Sequence, residues 1–277
     1  MQLYGGLQLT FDTISGRSRV IVHIAYPSHH LRTPQFFNAY CRDQMLDAVL
    51  VPWQVSPENL RMAFEGLRRV ESLAGVIVTI PHKASVAALC DSLSPTADFL
   101  KVANVARRGA DGRFHGEMFD GTGFVQGLKN QGLSVMGRRA LLIGAGGAAT
   151  GIAEALVRAE VAELAIANRS IDKAMELASR LRLLFPDRSI RATQADARGF
   201  DLVVNGTSLG MNDGDPLPVP ASTLAPGTLV CEVVMQPDTT PLLEAAAVRD
   251  CVVHKGNHMI TGQIELLAKF LLGTEGA

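Results

Sequence analysis

The chain is short of the features that mark many functional classes. Its four cysteines, Cys41, Cys90, Cys231 and Cys251, are scattered and form no CxxC pair. That excludes a disulfide framework and a cysteine-rich metal site, and it suits reduced thiols in the cytoplasm. Charge of one sign is lacking too: 26 basic and 27 acidic residues leave a formal net charge of −1. Nothing therefore points to a nucleic-acid partner or an anionic membrane. Aromatic residues make up only 5%, with a single Trp, so Trp53 and the Phe residues are read as packing groups rather than stacking platforms. No apolar run is long enough to span a bilayer. Near the N-terminus no basic stretch precedes an apolar one, so no secretory leader is expected. Internal repeats and low-complexity tracts are missing.

What is present describes a water-soluble globular protein. A length of 277 residues suggests about two domains, and 47% apolar against 19% charged residues gives ample core. The most informative stretch is Leu141-Leu142-Ile143 followed by Gly144-Ala145-Gly146-Gly147-Ala148-Ala149-Thr150-Gly151. A continuous apolar run reads as a buried parallel strand. Glycine then permits a tight turn and close approach of backbone to phosphate. The helical pattern that follows offers free N–H groups and a positive dipole end to an anion. Strand, glycine turn and helix in that order point to a dinucleotide pyrophosphate site.

A second strand, Ala162 to Ala167, ends in Asn168-Arg169-Ser170. Binders of the unphosphorylated cofactor usually place an acid here to accept from the ribose 2′-hydroxyl. No acid is present. Arg169 and Ser170 can instead donate to a 2′-phosphate, with Lys173 close by, so NADP is favoured over NAD.

Strand-like and helical runs alternate up to residue 119. Arg19–Ala25 reads as a strand and Thr33–Ala48 as a helix, with Thr33 a possible N-cap and Pro34 its first residue. Leu46–Val51 is a possible strand closed by Pro52. A helix opened at Ser56 runs to about Ser72, Gly75–Pro81 is a third strand, and Lys83–Leu89 is helical. This alternation predicts a small α/β sheet with right-handed crossovers. Beyond it come a linking helix, Phe124–Asn130, and strands at Leu202–Asn205 and Thr228–Val234. An irregular loop covers Asn212–Pro220, and an apolar helix, His258–Leu272, returns to the first domain. The expected fold is two-domain α/β. Residues 1–119 plus 256–277 form a substrate-binding domain, and residues 120–255 form a Rossmann-type, doubly wound NADP-binding domain.

Two charged residues stand out for chemistry. Lys83 follows Thr79-Ile80-Pro81-His82 at a strand end, and Asp120 precedes Gly121-Thr122-Gly123. A Lys and an Asp at a reacting carbon suit carbonyl–alcohol redox, the ammonium protonating or stabilising a forming alkoxide. Spacing alone does not bring them together, and by itself reads each as a surface charge. His254 and His258 have i, i+4 spacing, but Gly256 interrupts them and no acid or Cys completes a set, so no metal is expected.

Taken in order along nearly the whole chain, these segments resemble the shikimate/quinate dehydrogenases. GAGGAATG is similar to that family's GAGGA(S/A)RG, and Asn168-Arg169-Ser170 to its NRT. Val78 to Lys83 resembles NVTxPxK, and Val102 to Val105 resembles AVNT. Asp120 to Gly123 resembles DxxG, Asn205 to Met211 is close to NATSxGM, and Gly262-Gln263 matches the terminal Gln. The resemblance implies that Lys83 and Asp120 are the catalytic pair and that Thr79, Asn104 and Gln263 line the substrate pocket. It also implies that the Asn205–Met211 loop, with Thr207 and Ser208, sits beside the nicotinamide. Val233 is counted with that cofactor site, along with Gly144, Ala145, Gly146, Gly147 and Ala148. The expected ligand is a small cyclic hydroxy acid or related alcohol, and the expected assembly a monomer or homodimer.

The chain departs from the family at several positions, and the resemblance implies that two of them, those of Leu31 and Met235, would hold a substrate carboxylate. The signature HSxSP here reads His30-Leu31-Arg32-Thr33-Pro34, so Leu31 replaces the first hydroxyl while Thr33 keeps the second. Met235 stands where a Tyr is common, Ile77 where Asn precedes Val-Thr, and Met118-Phe119 where Asn-Thr precedes the Asp. Losing two hydrogen bonds to a charged group would weaken carboxylate recognition by about 3–6 kcal/mol. Arg32 offers a fork that could compensate or could face solvent, and Phe119 could wall the pocket. These features imply an NADP-dependent alcohol dehydrogenase with altered carboxylate recognition. The alternative is a non-catalytic dinucleotide and cyclic-acid sensor, against which the retained Lys83 and Asp120 argue.

Overall fold

The computed structural model describes residues 14–273. The stretch read for a leader, up to residue 13, and positions 274–277 of the first-domain assignment lie outside the described residues. Two six-stranded sheets with flanking helices make an α/β fold.

The first sheet contains β1 (Arg19–Ala25), β2 (Ala48–Gln54), β3 (Leu73–Val78), β4 (Ser92–Leu93), β5 (Val105–Arg108) and β6 (Phe114–Glu117) in the order β2-β1-β3-β5-β6-β4. The pairs of β1 with β2 and β3 are parallel, whereas β5 runs antiparallel to both β3 and β6. The sheet is thus mixed, where the alternating pattern suggested crossovers only. β5 and β6 form a hairpin around Asp111-Gly112, too short a connection for a helix. Their helices are α1 (Thr33–Asp43), α2 (Leu60–Leu67), α3 (Lys83–Leu89) and α4 (Pro95–Leu100).

Several boundaries differ from the sequence expectation for local reasons. α1 stops at Asp43 rather than Ala48, because Met45 takes a positive φ of 54° and turns the chain into β2. Its capping position is Arg32, without a side-chain cap bond, so Thr33 is inside the helix. β2 continues through Pro52 to Gln54; as an edge strand it has a side on which the missing N–H is not needed. α2 ends at Leu67, since β3 already starts at Leu73.

The second sheet contains β7 (Arg139–Ile143), β8 (Glu163–Ala167), β9 (Ser189–Thr193), β10 (Leu202–Asn205), β11 (Leu229–Glu232) and β12 (Val252–His254). It is parallel throughout, in the order β12-β11-β10-β7-β8-β9. Such a doubly wound sheet opens a crevice at the carboxyl ends of its strands where the order reverses, here between β7 and β10. α6 (Gly147–Arg158), α7 (Ile171–Leu184) and α8 (Pro241–Ala247) cover it.

Two helices join the halves. α5 (Asp120–Asn130) begins at Asp120, four residues earlier than its apolar pattern suggests, and carries Phe124 and Leu128 into the second core. α9 (Asn257–Leu272) packs Ile260, Ile264, Leu267 and Leu271 against Ile21, Phe37 and Ile77 of the first. Close contacts run through glycine: between α9 and α5 a Cβ on Gly262 would lie 2.2 Å from the Gly123 carbonyl oxygen, and between α5 and α6 one on Gly121 would lie 2.1 Å from that of Gly151. Close packing therefore outweighs the low helix propensity of glycine here. Among the described residues no helix is long and apolar enough to cross a membrane.

Candidate active site

The glycine turn after β7 supplies a backbone cradle. Gly144 takes φ +116°, and a Cβ there would sit 3.0 Å from the Gly206 carbonyl oxygen of the turn after β10. A side chain would thus be both strained and crowded. At Gly146, the cap of α6, a Cβ would meet nothing within 4 Å, so bare backbone faces open space. The free N–H groups of α6 lie just beyond it.

A cavity of about 420 Å³ opens here. Of the residues expected to bind cofactor, Gly144, Ala145, Gly146, Gly147, Ala148, Asn168, Thr207, Ser208 and Val233 line it. Met211 lines an adjoining cavity of about 80 Å³, where Thr207, Ser208 and Val233 meet Thr79 and Lys83. Asn168 donates to the Ser170 carbonyl at 2.9 Å, holding the turn after β8. Arg169, Ser170 and Lys173 are exposed and outside the cavity wall.

Asn205 is placed differently from its neighbours in the motif. It is fully buried beneath the loop and donates to both Glu232 carboxylate oxygens at 3.0 Å and to the Leu209 carbonyl at 2.9 Å. Its own oxygen accepts from the Thr207 backbone and hydroxyl. Glu232, which sequence reasoning passed over, also accepts from the Thr240 hydroxyl at 2.8 Å. Burial pushes its carboxyl up to about 7. Its signal was an acid at the end of an otherwise apolar strand.

The first sheet contributes the other wall. Lys83, the first residue of α3, forms a buried ion pair with Asp120, the first residue of α5. Asn104 donates to Asp120 at 2.8 Å and lies 2.9 Å from the Gln263 oxygen, while its own oxygen accepts from the Phe119 N–H. Asp120 gains from the positive end of α5, and its charge offsets the unfavourable placement of Lys83 at the start of α3. Four residues far apart in sequence thus form one network. Lys83 lines all three cavities, and its aliphatic stem lies where a Cβ on Gly147 would approach within 3.0 Å. The two halves of the cleft meet at this side chain.

Beyond Lys83 is a small cavity of about 50 Å³. All six expected substrate residues, Leu31, Thr33, Thr79, Asn104, Met235 and Gln263, line it. Its apolar lining includes Leu31, Met235 and Ile77. Arg32 does not reach it, and Phe119 instead packs edge-to-face on Phe270, so neither takes the place considered for it. His23 and His30 line the cavity and were missed; in sequence His23 shows only as a polar break in the apolar run of β1. Burial, then the nearby Lys83 and His30, lower its imidazole to about 3. His254 and His258, the pair weighed for metal, stack at 4.7 Å between ring centroids.

The ordered motifs and this geometry agree with the comparisons. The family model described as shikimate dehydrogenase substrate binding domain matches residues 23–106, and that described as shikimate / quinate 5-dehydrogenase matches residues 128–210. A shikimate dehydrogenase (NADP(+)) from Rubrobacter xylanophilus is 38% identical over 265 residues, 94% of this chain and 90% of the relative. The chain belongs to the shikimate dehydrogenase family. A solved shikimate dehydrogenase in complex with NADP+ superposes with a TM-score of 0.86 at 28% identity, covering 95% of this chain and 93% of the other. A 5-ketofructose reductase from a Gluconobacter strain gives 0.80 at 27% identity, covering 94% of both. Within this shikimate dehydrogenase fold the Lys83–Asp120 pair lies where the glycine-lined cavity and the small cavity adjoin.

Proposed function

We propose that the chain reversibly oxidises a ring hydroxyl of shikimate or a related cyclic hydroxy compound, with NADP as its redox partner. The buried Lys83–Asp120 pair at the junction of the two cavities carries this reading. The cradle fits a pyrophosphate, because Gly144 and Gly206 leave no room for side chains while Gly146 presents open backbone. When bound there, the nicotinamide supplies or accepts the hydride. Lys83 gives a proton to the developing alkoxide in the reducing direction and takes it back in the other. Asp120 holds the ammonium in place and accepts from a substrate hydroxyl, with Asn104 and Gln263 fixing its orientation. Thr207, Ser208 and Met211 would flank the nicotinamide, on a loop pinned by Asn205 and Glu232. Arg169 and Ser170, helped by Lys173, would meet the 2′-phosphate.

The finer part of the reading is that carboxylate recognition is weakened. Leu31 and Met235 line the cavity without a donor, and Thr33 and Thr79 are left as its hydroxyls. The Gluconobacter neighbour is named for a keto sugar, which has no carboxylate, and this supports the reading. The domain division proposed is residues 1–119 with 256–277 for substrate and 120–255 for NADP, with closure between them excluding water. Free cysteines suit a cytoplasmic setting. The intact ion pair weighs against a sensor without turnover.

Initial rates with shikimate and quinate, each with NADP and with NAD, test this directly. NADP-linked turnover is expected, and its absence on both acids overturns the shikimate reading. Leu31→Ser with Met235→Tyr should raise kcat/KM for shikimate by at least about tenfold, each restored bond to a charged group being worth about 1.5–3 kcal/mol. No gain would mean that the carboxylate is held elsewhere.

A further inference from the structure

We infer that His23 contacts the substrate directly and binds one of its ring hydroxyls, supplying from β1 a polar group to a part of the wall where β3 presents the apolar Ile77. The inference rests on the cyclic-hydroxyl reading above and deepens it.

His23 is buried and lines the small cavity beside Lys83, Asn104 and Asp120. Among the described residues its Nδ1 has no hydrogen-bond partner. A buried polar nitrogen left unpaired is destabilising, and folded chains seldom carry one without a reason. Nδ1 has almost no accessible surface, so a small turn of the ring toward the cavity is what lets a ligand group remove that cost. The neighbouring polar groups are already engaged: Lys83 with Asp120, and Asn104 with Asp120, Gln263 and the Phe119 N–H. Of the fully buried polar side-chain atoms in this wall, the His23 Nδ1 is the one without a partner among the described residues.

Register supports the assignment. β1 and β3 are parallel neighbours, and His23 stands opposite Ile77. Both side chains line the same cavity. A polar residue on β1 places the hydrogen-bonding group of this part of the wall one strand spacing, about 4.8 Å, from where a polar residue on β3 would place it. The shape accepted by the pocket changes accordingly.

The type of group also follows from chemistry. Burial and the Lys83 ammonium hold the imidazole neutral at any working pH. A neutral imidazole carries one donor and one acceptor. That matches a hydroxyl, which both gives and takes a hydrogen bond, and it lacks the countercharge a carboxylate wants. His23 is therefore assigned to a hydroxyl that is not the reacting one, since the reacting oxygen belongs to Lys83.

The test uses the whole chain and the best substrate among shikimate and quinate, each with NADP+, and 5-ketofructose with NADPH. His23→Val should raise KM for that substrate about 5- to 30-fold, the loss of one buried hydrogen bond. Its kcat should stay within about threefold, and NADPH affinity and Tm should not fall, because the valine removes an unsatisfied nitrogen from the core. His23→Asn, which keeps a polar atom near the Nδ1 position, should hold KM within about threefold. A KM that does not move in His23→Val, or a rise that His23→Asn fails to rescue, overturns the inference. A ¹⁵N spectrum of histidine-labelled wild-type protein gives an independent reading should the valine variant not fold. The His23 imidazole resonance, assigned by its absence from His23→Asn, should shift when whichever of the three compounds calorimetry shows to bind is added with the dinucleotide form that does not turn it over, and a resonance that stays put in that bound complex also overturns it. Turnover of 5-ketofructose but of neither acid counts against the shikimate reading alone, since the His23 ratio is then measured on the sugar. If no substrate is turned over, the functional reading fails and the ¹⁵N titration decides on His23.

Discussion

The two halves of the cleft are made of different material. The cofactor half presents backbone: the Gly144–Gly147 turn, the start of α6 and the Gly206 turn. The substrate half presents side chains, Lys83, Asp120, Asn104, Gln263 and His23, drawn from five elements or their ends. Their buried carboxylates differ in the same way. Asp120 is matched by a cation, whereas Glu232 is matched only by neutral donors. A backbone site depends on strand order and on glycine, so side-chain drift elsewhere leaves it intact. A side-chain site can keep its proton-transfer pair and still change what it recognises through single substitutions such as those at Leu31, Ile77 and Met235. In this chain the glycine cradle is intact, while Leu31, Ile77 and Met235 stand on the wall of the small cavity.

The largest expected effect breaks the substrate half at its centre. Lys83→Ala should lower kcat about 10³-fold, the middle of the range for a positioned acid–base group. NADPH affinity, measured by fluorescence titration, should stay within a few-fold, because the backbone cradle does not need the ammonium. Near-normal turnover would remove Lys83 from the mechanism, and a parallel loss of NADPH binding would show that the two halves are not separable.

The same contrast explains what could be read from the sequence. The cofactor half is contiguous: an apolar strand, a glycine cluster and a helix follow one another, so a local physical argument reaches the site. The substrate half is assembled by topology. Asn104 and Gln263 are 159 residues apart and lie 2.9 Å from each other, and no spacing argument predicts that. Only the resemblance to a family singled them out. His23 shows the limit of both routes, because it sits inside an apolar strand and at no family motif; its meaning came from register with Ile77 and from a missing hydrogen bond. Asn205 shows the reverse error. The motif suggests a cofactor contact, while the fold uses the side chain to tie the loop to Glu232. The hairpin of β5 and β6 was hidden by its length: strands of four residues leave too few positions for a two-residue period to register.

Glu232 offers a second way to sharpen the comparison, this time through pH. Its folded-state carboxyl titrates at about 7, above the ordinary 4.5, because burial disfavours the charged form. The folded chain then holds a proton that the unfolded chain has released. The associated stability is fully present below about pH 4.5 and is lost as pH rises to about 7, amounting to about 3 kcal/mol. Glu232→Gln cannot titrate, so its stability by urea unfolding should fall less steeply over this window. A pH-independent cost is also expected, since the new amide turns a donor toward the Asn205 and Val234 donors. An unchanged pH slope would mean that Glu232 stays ionised in the fold.

The smallest expected effect probes the one place where the cofactor half depends on side chains. Arg169 is exposed at the end of β8, where no acid can meet a ribose hydroxyl. A charge-assisted bond to a 2′-phosphate is worth about 1.5–3 kcal/mol, and solvent screening takes it toward the lower end. Arg169→Ala should therefore raise KM for NADP about tenfold and leave KM for NAD unchanged. Lys173, exposed on the first turn of α7, should matter less, with a change of about threefold or under in Lys173→Ala. Equal losses for both dinucleotides in Arg169→Ala would mean that the arginine acts only on the pyrophosphate or through the general field. The cofactor half would then be backbone-built throughout, and discrimination between NADP and NAD would have to be sought at Ser170.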